Sequence, residues 1–83
     1  MSFSEQDVEA VWNKGRIIPD FASNIWRWDV CGTVMKRSEY GNRNSKYGWE
    51  IDHINPNSGD GLSNLQPLQW ENNVAKSDGK LSC

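Results

Sequence analysis

The chain has 83 residues, 36% of them hydrophobic, with nine basic against eleven acidic side chains and a formal charge of −2. Such a length makes one small domain near the lower size at which a single core holds a fold, and five tryptophans supply burial that aliphatic residues here do not. The charge balance excludes a basic nucleic-acid footprint over the whole surface, and no apolar run is long enough for a membrane span.

Ser4 with Asp7 three residues on has the form of a capping box, the acid standing where Glu or Gln is usual. Val8, Val11 and Trp12 then recur on one helical face, and Gly15 stops the pattern, which predicts a helix over residues 5–14. Its Glu5, Asp7 and Glu9 read as a solvated face. Residues 16–30 show no sustained helical period and predict an irregular, extended path broken at Pro19. Within it Trp26 and Trp28 share one face of a strand with Arg27 opposite, and Trp28 is expected to serve as a core or lid aromatic.

Two cysteines, Cys31 and Cys83, are too few for a disulfide framework, and with one histidine they are too few for a structural zinc. A single Cys31–Cys83 bridge is the less expected state. The sequence shows no basic-then-apolar leader, so the expected compartment is the reducing cytoplasm. Residues 33–37 predict a short strand, and SEYGNRNSKYG after it a loop. Lys36, Arg37, Arg43 and Lys46 concentrate positive charge in this central segment.

Trp49-Glu50-Ile51-Asp52-His53 alternates like a half-buried strand, with Glu50 expected to face solvent. A polar turn over residues 55–61 follows, then a short strand over 65–68 with Pro67 on an edge. A helix from Trp70 to Ser77 closes at Gly79, completing strand, loop, strand and helix over residues 49–77.

The polar residues of this unit fall at its element junctions. Asp52 and His53 point to opposite faces of a regular strand, so both reach one ligand where the strand ends. Asn64 is placed to brace the loop, since its amide donates and accepts at once. Asn73, Lys76 and Ser77, spaced i, i+3, i+4, put an oxygen ligand, a cation and a hydroxyl on one helical face. A near-neutral imidazole can take a proton from water. A hard cation needs few protein oxygens to act on a phosphodiester.

The order Asp-His, Gly-rich loop, Leu-Ser-Asn-Leu and Asn-Asn-x-x-Lys resembles the HNH endonuclease family over about residues 26–80. The resemblance implies an α+β fold with a small ββα-metal (HNH, or His-Me finger) core, to which the N-terminal helix and irregular extended segments are added. The whole chain, residues 1–83, is then a single domain. It implies that His53 is the general base, that Asn64 braces the catalytic loop, and that Asp52 and Asn73 hold one divalent cation, Mg²⁺ or Mn²⁺. Asn72 is the alternative to Asn73, one residue away in register. Lys76 matches a basic residue suited to a phosphate contact, and Arg37 and Arg43 are further candidates for contacts to nucleic acid. The expected reaction is hydrolysis of DNA to 3′-hydroxyl and 5′-phosphate ends, with DNA as the partner, no membrane, and a larger protein or a second copy as sources of specificity. Many members carry two Cys-x-x-Cys pairs around a structural zinc. The matching positions here are Trp28 and Cys31, then Gln69 and Asn72, so no structural zinc is expected, and packing by Trp28 and Trp70 is the expected substitute. Cys31 then reads as a buried relic of that site, and Asp60 and Glu71 as surface charges. The runner-up is a catalytically weak module on the same fold that binds nucleic acid or protein.

Overall fold

The computed structural model describes residues 3–77 and 79–83, an α+β arrangement of two helices and two antiparallel sheets. Helix α1 (Glu5–Trp12) begins with the capping box in place. Ser4 Oγ accepts from the Asp7 amide, and the Asp7 carboxylate accepts from the Ser4 amide. The helix ends two residues before the predicted stop and buries Val8, Val11 and Trp12.

Strands β1 (Arg16–Ile17), β2 (Trp26–Trp28) and β3 (Val34–Lys36) form one sheet in that order. Strand β2 has the two faces expected of it, Trp26 and Trp28 on one and Arg27 on the other, but the inner face is that of Arg27 and not of the tryptophans. Arg27 is buried at 9% exposure opposite Met35, while Trp26 and Trp28 stand half-buried on the outer face. The reason lies at the end of α1, where backbone carbonyls lack helical partners. The Arg27 guanidinium donates to Asn13 O at 3.0 Å, Gly15 O at 2.9 Å and Ser23 O at 2.9 Å. A neutral indole could satisfy one of these acceptors; the guanidinium satisfies three.

Strands β4 (Trp49–His53) and β5 (Leu65–Gln69) form the second sheet, with Trp49 opposite Gln69 and His53 opposite Leu65. Helix α2 (Trp70–Ala75) follows β5 directly, its first turn capped by the Gln69 side chain, which accepts from the Glu71 and Asn72 amides. It stops at Ala75, short of the predicted Ser77. The chain enters β4 through Gly48, where a Cβ would lie 1.9 Å from Asn42 O, so a larger residue there would push the preceding loop away.

The core joins α1 to both sheets through Val8, Val11, Trp12, Met35, Trp49 and Leu65, with Phe3 and Ile51 at its margin. Trp12 and Trp49 are fully buried, their rings 5.1 Å apart and tilted. Each indole keeps a hydrogen bond, Trp12 to Ser23 O and Trp49 to Arg37 O.

Trp28 and Trp70, the expected packing substitutes for a zinc, are both half-buried. Trp70 donates to Ser45 O, holding the loop before β4. The junction between the β2–β3 turn and α2 is tied instead by Asp29, which is 1% exposed. One carboxylate oxygen accepts from the Cys31 and Thr33 amides, the other from the Gln69 amide and the Asn72 side chain, all at 2.8–3.0 Å. The same turn carries Cys31, which is bonded to Cys83 with Cα atoms 5.6 Å apart. That replaces the expected free cysteine, since the folded chain brings together two thiols 52 positions apart. Disulfides persist where thiols are not held reduced, so this bridge and a reducing cytoplasm pull in opposite directions. No helix among the described residues is long and apolar enough to cross a membrane.

Candidate functional site

The end of β4, the loop after it and the face of α2 enclose a shallow cavity of about 300 Å³ lined by Ile51, Asp52, His53, Pro56, Asn73, Lys76 and Gly79. Four of the residues singled out from sequence therefore meet at one place. Asp52 is carried by β4 near its end and is 7% exposed, while His53 is the last residue of that strand. Gly79, at φ 75°, closes on Pro56 so tightly that a Cβ would stand 2.8 Å from the proline ring.

Asn64 sits at the foot of the loop, 9% exposed. Its Oδ1 accepts from the Asn55 amide at 2.9 Å, its Nδ2 donates to Asn55 O and Gly59 O at 2.8 Å each, and its backbone carbonyl accepts from the Ile54 amide. A single buried side chain thus fixes both ends of the turn that follows His53, and loop placement relative to the imidazole depends on it.

Asp60, read from sequence as a surface charge, stands at the far side of the same turn with Oδ1 2.6 Å from His53 Nε2. With the carboxylate accepting from Nε2–H, the ring's lone pair is on Nδ1. The seven-residue spacing between Asp60 and His53 carries no periodic signal, because a loop rather than an element brings them together.

Lys76 donates to both Asp52 oxygens at 2.8 and 3.0 Å and to His53 O at 2.6 Å, and the side chains of the pair are each 8% exposed. Gln66 Nε2 adds a bond to Asp52 at 2.9 Å. The lysine expected at a phosphate is thus held inside the cavity wall as the countercharge of the expected metal ligand. Asn73 lines the cavity and donates through Nδ2 to Glu50 at 2.9 Å, whereas Asn72 is turned away to Asp29 and Thr33. Of the two asparagines, Asn73 is the one that lines this cavity.

Glu50 is more enclosed than its expected solvent-facing position. Its side chain is 19% exposed and grips Arg43 with two hydrogen bonds of 2.7 and 2.9 Å. The Arg43 hydrogen bond holds its carboxyl below the usual carboxylate range, against the opposing effect of burial, and the Asn73 amide helps. Arg37 is likewise engaged, paired with Glu5 at 3.2 Å and Glu9 at 3.0 Å. Glu5 and Glu9 are therefore ion-pair partners as well as a solvated face. Both arginines offered as nucleic-acid contacts lie in ion pairs within the chain.

Donor chemistry decides whether a divalent cation suits this cavity. No three His, Cys, Asp or Glu side chains converge among the described residues. The cavity offers one carboxylate, Asp52, and the Asn73 amide oxygen, which accepts no hydrogen bond among the described residues. That set fits a hard cation that keeps most of its waters. It does not fit a softer metal that requires several imidazoles or thiolates. Asp52 is already paired with the Lys76 ammonium, which a cation would have to displace.

Comparison with known proteins finds no matching family model, no matching curated protein and no matching solved structure.

Proposed function

We propose that this chain is a metal-dependent endonuclease with an HNH-like, ββα-metal site, acting on DNA phosphodiester bonds. The observation that carries the reading is the convergence of Asp52, His53, Asn73 and Lys76 on one cavity, beside a loop held by Asn64. Sequence resemblance and spatial convergence are separate supports, because residues 21 apart need not meet.

In this reading His53 is the general base. Its Nδ1 takes a proton from the water that attacks phosphorus in line, while Asp60 on Nε2 orients the ring and balances the imidazolium that forms. Asp52 and Asn73 would hold one Mg²⁺ or Mn²⁺, which when bound supplies charge neutralisation at the phosphate and the leaving oxygen. Lys76, once released from Asp52, is a cation at the edge of the scissile group. Asn64 keeps the loop, and with it Asp60, at a constant distance from the imidazole.

The test is nicking of supercoiled plasmid in Mg²⁺ or Mn²⁺. Wild type should nick, and His53→Ala should lose about 10²–10⁴-fold in rate with an unchanged melting temperature. Equal activity in the two proteins would remove His53 as the base.

One observation favours the second reading, a binding module that cleaves feebly or not at all. Lys76 already neutralises Asp52 inside the wall. A site complete without a cation has no electrostatic need of one. Absence of cleavage by wild type together with retained nucleic-acid affinity would select this reading.

A further inference from the structure

We infer that the outer face of the three-stranded sheet is a seat for unpaired bases of a single nucleic-acid strand. The inference takes nucleic acid as the partner from the reading above, but it concerns binding and substrate form, which the cleavage site does not specify.

The inverted strand β2 creates the seat. Because Arg27 points inward, Trp26 and Trp28 stand outside, and with Ile18, Phe21, Val34 and Tyr47 they line an apolar cleft of about 320 Å³. That volume lies at the lower end for small-ligand sites. Trp26 and Tyr47 meet edge to face at 5.1 Å, and Phe21 is 59% exposed although it is fully apolar. Trp26, Trp28 and Tyr47 are half-buried and Ile18 is buried, so Phe21 is the open aromatic face of the cleft.

Charge selects the occupant. Lys36 Nζ stands 5.5 Å from the Trp26 ring centre, and Lys46 Nζ 5.2 Å from that of Tyr47. Neither lysine has an acidic partner within ion-pair distance among the described residues. Aromatic faces for bases, with flanking ammonium groups for the backbone, are the parts of a single-strand binding surface. A purely apolar protein segment would leave both cations unused. Duplex DNA keeps its bases stacked inside and would leave the rings unused.

Direct binding tests this, using the full chain in EDTA so that cleavage does not intervene. The probe is a fluorescent oligo-deoxythymidine of roughly 15 nucleotides, measured by anisotropy against a blunt duplex of the same length. The single strand should bind more tightly. Phe21→Ala, a change at an exposed residue, should weaken it about 10-fold without moving the melting temperature. Lys36→Gln and Lys46→Gln should each lower the salt slope by about 0.7. Equal affinity for the duplex, or Phe21→Ala binding like wild type, overturns the inference. So does self-association through this face, seen by sedimentation and lost in Phe21→Ala, without affinity for the oligonucleotide. The two readings separate cleanly. Oligonucleotide binding without cleavage by any variant sinks the nuclease and keeps the seat. Nicking by wild type with binding indifferent to Phe21 does the reverse.

Discussion

Asp29 and Asp52 are both buried aspartates, 1% and 7% exposed, yet their surroundings differ in kind. Asp29 accepts from three backbone amides and one side-chain amide, all neutral, at the junction of the β2–β3 turn with α2. Asp52 is balanced by one ammonium and one amide beside an open cavity. Backbone amides cannot be exchanged for another donor without moving the chain, whereas a lysine side chain can swing away. The first carboxylate is therefore a fixed structural tie, and the second a charge whose partner can change.

Removing the tie should have the largest effect. Asp29→Ala leaves buried donors without an acceptor, at about 1–3 kcal/mol each, which approaches the whole stability of a small domain. The variant should be largely unfolded at room temperature by near-ultraviolet circular dichroism. A urea-derived stability within about 1 kcal/mol of wild type would show that the tie is dispensable.

Breaking the other carboxylate's partnership should cost less once a cation is supplied. Lys76→Ala strands a buried charge, a loss of about 3–5 kcal/mol. Mn²⁺ should then raise the variant's melting temperature by more than it raises that of wild type. Equal shifts in a thermal titration would mean that Asp52 does not receive the metal.

The smallest effect sharpens the contrast with a carboxylate at the margin. Glu50 has its folded pKa lowered, first by the Arg43 hydrogen bond. The stability it contributes is therefore present above its ordinary carboxylate pKa and is lost as pH falls through the lowered folded value. Arg43→Ala should flatten the decline in melting temperature as pH falls below about 5. The difference should shrink in salt, since Arg43 is exposed. An unchanged acid limb would sink the assignment.

What was legible in the sequence was local. The Ser4–Asp7 cap and the Trp49–His53 strand rest on spacings of a few residues within one element, and the Asn64 brace on the turn beside it. The α+β class was legible on the same basis, through helical and strand periodicities read in chain order. The Asp29 tie was not, because Gln69 and Asn72 lie 40 and 43 residues away and an aspartate after a tryptophan has no periodic signature. Alternation in Trp26-Arg27-Trp28 gave two faces but not which one is inner. Hydrophobicity chose the tryptophans, whereas carbonyls left open at the end of α1 draw the arginine inside. Asp60 was missed for a third reason: a loop's path, not its composition, sets its distance to His53.

The bond between Cys31 and Cys83 closes a covalent ring whose members are β3, β4, β5 and α2, with α1, β1 and β2 outside it. Every residue lining the Asp52–His53 cavity belongs to that ring. The ring also contains the exposed turn from Asn55 to Gly61, a stretch where a protease can reach the backbone. A single cut there would linearise the ring without dividing the molecule. The two walls of the cavity, one carrying His53 and the other Lys76, would remain parts of one covalent object until a thiol reductant separated them.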